Sequence, residues 1–265
     1  MRVMSWNVHA MVGSDRRCDP DRIARVITDL APDVAGLQEV GAASFSGRAG
    51  DPAHLLGGLT GMHAAFGRTM HHRRGFLYGN AVLSRTPIEA VRNYDLSVSG
   101  REPRGCVRAD VEIGGVRVHF FAAHLGLHWR ERRRQAAQLL SADILRDTAL
   151  AYPLVLVGDF NSLSARAGVP RWLRRQLSDC ALVARNEAPT FPAFFPLLRL
   201  DQCYVDAAFA VRSVDVVRTP LARQASDHLP LLVELELLPG ARRPPAARPL
   251  EAAGVTTRIG ERPGG

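Results

Sequence analysis

The sequence predicts an α/β protein built from two packed, mixed β-sheets with helices on the outside. Three observations carry this. Apolar runs of strand length recur along the chain, separated by Gly, Pro and polar breaks. Some are joined by a tight glycine turn and others by a stretch of helical period, so antiparallel and parallel pairs must coexist. The chain is also long enough, at 265 residues, for each sheet to bury one face on the other and one under helices.

The elements follow in order. Val3 to Val8 alternates with β character. Asp19 is placed to cap a helix whose first position is Pro20. Ile23, Val26, Ile27 and Leu30 form its apolar stripe, and Pro32 stops it. Asp33 to Leu37 is a short buried strand ending at Gln38-Glu39. Residues 41–62 are rich in Gly, Ala and Ser around a helical stretch from His54 to Leu59. Phe76 to Leu83 is a strand. Gly105 to Ile113 and Val116 to His124 are strands joined by Gly114-Gly115, a hairpin signal. A helix is predicted from His128 to about Thr148, with Ala136, Leu139, Leu140 and Ile144 inward. Leu154 to Val157 is continuously apolar, as a central strand covered on both faces should be. Arg199 to Val205, Val214 to Val217 and Leu229 to Leu235 complete the strands. This assigns residues 1–238 to one domain. From Pro239 onward, five Pro and five Gly in 27 residues with no apolar period predict a disordered Pro/Gly/Arg-rich tail.

Composition bounds the function. Apolar residues make up 46% and charged residues 23%, an ordinary globular balance that excludes a disordered or fibrous chain. No apolar run approaches the roughly 18 residues a bilayer span needs. The N-terminus lacks a basic segment followed by an apolar stretch, so no secretory signal is predicted and a cytoplasmic location is expected. The net charge is +8, and all 34 basic residues are Arg. Guanidinium suits phosphate, but the tail alone contributes +3, and the body is too mildly basic to imply nucleic acid by itself. Cys18, Cys106, Cys180 and Cys203 lack CxxC spacing, so neither a zinc knuckle nor a redox motif is expected.

Polar residues recur where the apolar strands stop. Asn7 ends the first strand, Glu39 the second, and His124 the strand from Val116. Asp159 and Asn161 follow Leu154–Val157. Asp201 opens Leu200–Val205, and Asp227 and His228 precede the last strand. Taken singly, each has a dull reading: a solvated carboxylate, a structural imidazole, an Asx turn. Together, polar groups at strand ends point to one shared cleft. Trp6, beside Asn7, is expected in the core.

The chain resembles the endonuclease/exonuclease/phosphatase superfamily, whose fold is that of deoxyribonuclease I. The matching pieces are Trp6-Asn7, Leu37-Gln38-Glu39, Gly79-Asn80-Ala81-Val82-Leu83-Ser84, Ala123-His124-Leu125, Gly158-Asp159-Phe160-Asn161, Arg199-Leu200-Asp201 and Ser226-Asp227-His228. They occur in the family's order from Met1 to about Leu238. The resemblance implies a four-layer α/β sandwich and hydrolysis of a phosphate ester with a divalent cation, Mg²⁺ by default and Mn²⁺ as a substitute. It implies Glu39 as principal metal ligand with Asn7 beside it, and Asp227 as a group that holds a second metal or orients the loop. His228 resembles the general base, oriented by Asp201, though the family leaves open whether this His or Asp159 takes the proton. Asp159 and Asn161 would position water and a phosphoryl oxygen, and His124 would donate to the phosphate or assist the leaving group. Arg104, in Arg101-Glu102-Pro103-Arg104-Gly105, resembles a phosphate clamp.

Two branches of the family are disfavoured. Abasic-site endonucleases carry Tyr-x-Pro-Asn where this chain has Ala122-Ala123-His124-Leu125. Inositol-polyphosphate phosphatases carry Pro-Ala-Trp-Cys-Asp-Arg where it has Pro196-Leu197-Leu198-Arg199-Leu200-Asp201. The reading that remains is a monomeric phosphodiesterase acting by in-line water attack, most simply a nuclease. A phosphatase or a phospholipid headgroup hydrolase of sphingomyelinase type is the alternative. An inactive binding scaffold is a third, opposed by the presence of every required residue type. The arginines at 130, 132, 133 and 134, and at 171, 174 and 175, are read as solvated helix charge. His71-His72-Arg73-Arg74 is read as a basic loop, and no aromatic-and-basic insertion for stacking on unpaired bases is seen.

Overall fold

The computed structural model describes residues 1–41, 51–71, 77–163 and 167–240. Phe76, three of the four residues of the basic segment (His72, Arg73 and Arg74) and the predicted disordered tail beyond Gly240 lie outside the described residues.

In chain order the elements are β1 (Arg2–Asn7), α1 (Pro20–Leu30), β2 (Val34–Gly41), α2 (Pro52–Thr60), β3 (His63–His71), β4 (Leu77–Ser84), β5 (Ile88–Asp95), β6 (Gly105–Ile113) and β7 (Val116–His124). They continue with α3 (Trp129–Leu139), β8 (Leu154–Asp159), α4 (Val169–Leu173), β9 (Ser178–Asp179), α5 (Cys180–Val183), β10 (Asp201–Val205), β11 (Phe209–Val216), α6 (Pro220–Ala225) and β12 (Leu231–Leu237). Among the described residues they build two six-stranded sheets, ordered β11-β12-β1-β2-β4-β3 and β5-β6-β7-β8-β10-β9. Each has a parallel pair at its centre, β1 with β2 and β7 with β8, and antiparallel pairs on either side.

Three apolar layers hold the sandwich. Val3, Val34 and Val82 of the first sheet meet Val107, Phe120, Val155 and Val157 of the second. Met4, Trp6, Leu37 and Leu83 face Ile23, Val26 and Ile27 of α1 and Leu56 of α2. Phe121, Leu156 and Tyr204 face Ala136 and Leu139 of α3 and Leu173 of α4. The layer order is therefore helix, sheet, sheet, helix. At Gly36 a Cβ would come within 2.4 Å of Val157 Cγ2, so this glycine lets the sheets approach closely. No helix of the described residues is long and apolar enough to cross a membrane.

Local chemistry explains the elements read from sequence. Asp19 caps α1 by accepting from Arg22 N at 2.9 Å, and Ala31 closes the helix in the left-handed region before Pro32. Gly114 and Gly115, both at positive φ, make the β6–β7 turn. Trp6 is fully buried, as expected.

The departures also have causes. The helix predicted to Thr148 stops at Leu139. Beyond it, Ser141 Oγ and Asp147 Oδ1 accept from the N–H groups of Asp143 and Ala149, drawing the backbone into turns. Leu140 and Ile144 remain buried all the same. Strands β3 and β5 were not legible because both are sheet edges, and β5 is exposed along nearly its whole length. The last two long strands run Phe209–Val216 and Leu231–Leu237, rather than Val214–Val217 and Leu229–Leu235.

Candidate active site

The parallel centres of the two sheets decide where the polar strand ends meet. β1 and β2 end together, as do β7 and β8. Each antiparallel neighbour begins where its partner ends: Gly105 opposite His124, Asp201 opposite Asp159, Tyr78 opposite Gly41, and Leu231 opposite Ser5. Residues far apart in sequence therefore gather at one end of the sandwich, around a cleft of about 440 Å³. Glu39, Arg104, His124, Asp159, Asn161 and His228 line it.

Asn7 joins the sheets beneath this cleft. Its Nδ2 donates to Glu39 Oε1 at 2.9 Å and to Asp159 Oδ2 at 3.0 Å, while its Oδ1 accepts from His9 N at 3.0 Å. The amide thus presents hydrogens, not its oxygen, to the carboxylates. In this arrangement Asn7 stands beside Glu39 and ties it to Asp159. Glu39 sits at φ 56, within the irregularity that shifts the β2–β4 register between Leu37 and Val40. A bulge of this kind re-aims a side chain at a modest cost in strain.

His228 Nδ1 lies 2.8 Å from Asp201 Oδ2, and its Nε2 lies 3.7 Å from Asp159 Oδ2. The loop carrying it is pinned on three sides. Trp6 Nε1 donates to His228 O at 2.9 Å, Ser226 Oγ donates to Asn7 O at 2.7 Å, and His228 N donates to Ser226 Oγ at 3.2 Å. The Phe191 ring packs against the imidazole at 4.7 Å between centroids.

Asn161 Nδ2 donates to Leu125 O at 2.9 Å and meets His124 Nε2 at 3.3 Å. An amide nitrogen so oriented donates its second hydrogen to the ring, which assigns the His124 proton to Nδ1. His124 Nε2 is then an acceptor, 3.6 Å from Asp159 Oδ2 and 3.9 Å from Glu39 Oε1. His124 lines the cleft in which it is expected to meet phosphate or the leaving group.

Burial separates the protonation behaviour of these groups. Desolvation and the Arg104 charge push His124 down to about 3, so its ring is neutral at ordinary pH. Desolvation opposes charge on His228 too, but Asp201, Asp159 and Asp227 outweigh it and raise its pKa to about 10. Burial, with the Asp201 charge, raises Asp159 to about 6 against the pull of His228 and the donors Asn7 and Asn161. Burial also opposes ionisation of Glu39. Positive charge at His124 and His228 and donors from Asn7 and Tyr78 outweigh it and hold the carboxyl below its usual range. Because His124 is uncharged above about pH 3, the donors and His228 do this at neutral pH.

Arg104 is almost wholly buried, its Nη atoms held bidentately by Glu102 at 2.8 and 3.1 Å. Its Nε is buried without a partner. Of the predicted site residues, Asp227 alone stays apart from the cluster. It does not line the cleft, and its half-exposed carboxylate lies 3.8 Å from His9 Nδ1. Asp201 and Asn7 sit below the lining as supports. Sequence reasoning missed Tyr78, Glu102 and Arg132, which also line the cleft. Tyr78 immediately precedes a recognised motif, which was the available signal. Arg132 was masked by its resemblance to ordinary helix charge.

Two mixed sheets, with carboxylates, imidazoles and an arginine at the ends of their central strands, define a deoxyribonuclease I-like sandwich. The chain belongs to the Endonuclease/Exonuclease/phosphatase family, whose profile matches residues 4–228. YbhP of Escherichia coli (strain K12) is 33% identical over 253 residues, covering 89% of this chain and 96% of that protein. The crystal structure of an endonuclease/exonuclease/phosphatase from Beutenbergia cavernae matches with a TM-score of 0.75 and 27% identity, over 89% of this chain and 71% of that one. Mannosyl-6-phosphatase Bt3783 from Bacteroides thetaiotaomicron shares the fold, with a TM-score of 0.71 and 21% identity over 89% of this chain and all of that one. The family is a group of phosphoester hydrolases.

Proposed function

We propose that this chain is a divalent-metal-dependent phosphoesterase that hydrolyses a phosphodiester by in-line attack of water. The observation that carries the reading is the arrangement of Asp159 and His228. A buried carboxylate with pKa about 6 lies 3.7 Å from an imidazolium that Asp201 holds in place. Asp159 is taken as the proton acceptor, because burial raises its pKa while Asp201 favours the charged form of His228. Asp159 takes the proton from the attacking water as the new P–O bond forms and the ester P–O bond breaks. His228 faces the phosphoryl oxygens as a fixed cation, stabilising charge that develops there. Asn161 orients the water or a phosphoryl oxygen, and Arg104 exchanges Glu102 for phosphate.

The donor set suits a hard cation. Glu39 offers an ionised oxygen ligand at the cleft, and Asp159 lies next to it. Among the described residues no three His, Cys, Asp or Glu side chains form a closed chelate. Mg²⁺ commonly binds through one or two carboxylates and keeps most of its water, and Mn²⁺ accepts the same oxygens. Bound at Glu39, such an ion would neutralise phosphoryl oxygens as a Lewis acid. Asn7 then serves by holding Glu39 and Asp159 in register, and Asp227 by adding to the negative field on His228.

The test uses the full chain with Mg²⁺, Mn²⁺ or EDTA, beside His228→Ala and Asp159→Asn. Substrates are plasmid DNA, single-stranded RNA, bis-p-nitrophenyl phosphate, p-nitrophenyl phosphate and sphingomyelin. Diester cleavage lost with EDTA and in both variants is expected. Cleavage of the monoester alone would replace the reading with a phosphatase, and metal-independent cleavage would overturn it.

A further inference from the structure

Ten large apolar side chains stand exposed among the described residues, and their placement is uneven. Leu59, Val91, Val183 and Leu238 are scattered and 40–54% exposed. The other six are 57–81% exposed and fall on three segments, each of which carries a residue of the cleft lining: Leu127, Leu163, and the pair Phe191 and Leu198. Leu127 and Trp129 follow β7, Leu163 follows β8, and Phe194, Phe195 and Leu197 precede β10. Leu127 and Leu163 line the cleft itself. Single exposed apolar residues are normal, but a concentration of the largest around one opening marks a contact surface.

The segment bearing the phenylalanines is built rather than loose. Phe191 and Leu198 pair across it and both line the cleft, so its tip, Pro192 to Leu197, projects from the cleft wall. Arg223 Nη1 donates to Ala193 O at 2.6 Å and to Phe194 O at 3.2 Å, and Ala193 N donates to Asp227 O at 2.6 Å. These bonds fix the tip to α6 and to the loop of His228, and leave both phenyl rings in water.

We infer that this rim seats the protein on an anionic lipid surface, with the cleft opening on to the headgroup layer. Charge supports that occupant. Arg130, Arg133 and Arg134 are exposed on α3 beside Trp129, with Arg130 stacked 5.2 Å from its ring centroid. Trp, Phe and Leu interleaved with Arg is the composition that binds a bilayer interface, by apolar insertion together with attraction to anionic headgroups. A nucleic-acid platform needs flat rings in series for base stacking. Trp129, Phe194 and Phe195 offer rings on two separate segments, but Leu127, Leu163 and Leu197 between and beside them carry none, and aliphatic side chains suit acyl chains. That the docked cleft then acts on a phosphoester rests on the function proposed above; the docking itself does not.

The test is co-sedimentation of the full chain, in EDTA, with vesicles of phosphatidylcholine alone or with about 30 mol % phosphatidylglycerol. The wild type is expected to partition on to the anionic vesicles. Phe194→Ser/Phe195→Ser should lose roughly tenfold in partitioning. That variant should keep the wild-type melting temperature and turnover of bis-p-nitrophenyl phosphate, while Val91→Ser partitions like wild type. Arg130→Glu/Arg133→Glu should weaken binding to the anionic vesicles most. Absence of wild-type binding, or equal binding by the phenylalanine variant, overturns the inference. So does single-stranded oligonucleotide binding, without vesicle binding, that falls in the same variant. Vesicle binding without turnover of any phosphoester would sustain the docking and sink the hydrolase reading; turnover without vesicle binding would do the reverse.

Discussion

Asp159 and Asp201 stand directly opposite one another across the antiparallel β8–β10 pair, and His228 reaches both carboxylates. Two buried acids in register would repel if both ionised with nothing near them. The imidazolium resolves this unequally. Asp201 takes the short 2.8 Å contact, while Asp159, at 3.7 Å, keeps a raised pKa of about 6. One sheet register thus divides two chemically identical side chains into an orienting group and a candidate base.

The first prediction concerns that pair in the metal-free protein. Asp201→Asn keeps an oxygen near Nδ1 but removes the charge, so the His228 pKa should fall from about 10 by at least about one unit. Ring ¹⁵N shifts followed through a pH titration will report it. The stability consequence has a definite sign. A His whose folded pKa exceeds its unfolded value stabilises fully below the unfolded pKa, about 6.5, and loses that contribution as pH rises through the folded pKa. The wild-type melting temperature should therefore decline from pH 6.5 towards 10, and the decline should be shallower in Asp201→Asn.

If Glu39 holds the ion as proposed, Glu39→Gln should weaken Mn²⁺ binding and reduce turnover by roughly two orders of magnitude or more, since it removes the proposed ionised ligand. Calorimetric titration of metal into the full chain separates the two effects. Unchanged metal affinity in this variant would reassign the ion to other ligands.

In the proposed site Glu102 competes with phosphate for the Arg104 guanidinium, which it now holds at 2.8 and 3.1 Å. Arg104→Lys should raise KM more than it lowers kcat, because an ammonium cannot reproduce the bidentate fork. Glu102→Gln should lower KM by freeing the fork. Steady-state kinetics on a soluble diester distinguish these opposite signs.

Two substitutions test how the sheets are joined. Gly36→Ala places a methyl against Val157 and Ala122 between the sheets and should cost about 1–3 kcal/mol of stability. Asn80→Ala removes the buried bond from Nδ2 to Gly105 O at 2.8 Å, which ties β4 of one sheet to β6 of the other. It should cost a similar amount, about 1–3 kcal/mol, by leaving a buried carbonyl unsatisfied. Because Gly105 follows Arg104, Asn80→Ala should also raise KM. Urea denaturation and kinetics on the same preparations give both readouts.

Much of this molecule was legible in the sequence because it rests on local chemistry. Asp19-Pro20 starts a helix, Gly114-Gly115 turns a hairpin, and the short continuous apolar run Leu154–Val157 reads as a central strand covered on both faces. The strand ends carrying Asn7, His124, Asp159, Asp201 and His228 followed, since a strand stops where its apolar run stops; Glu39 did not, because β2 continues through its bulge to Gly41. Edge strands β3 and β5 did not, because neither carries a continuous apolar run and β5 is exposed along nearly its whole length. The residue types and order at the strand ends thus determined the family and the chemistry available. Their division of labour was decided only by tertiary structure. A bulge aims Glu39, the backbone N–H of His9 turns the amide of Asn7, and the β8–β10 register sets Asp159 against Asp201. The same assembly sets Leu127 and Leu163, from two different loops, in one cleft wall. These are relations between residues distant in sequence, and no local propensity encodes an angle or a distance between segments that meet only when the two sheets close.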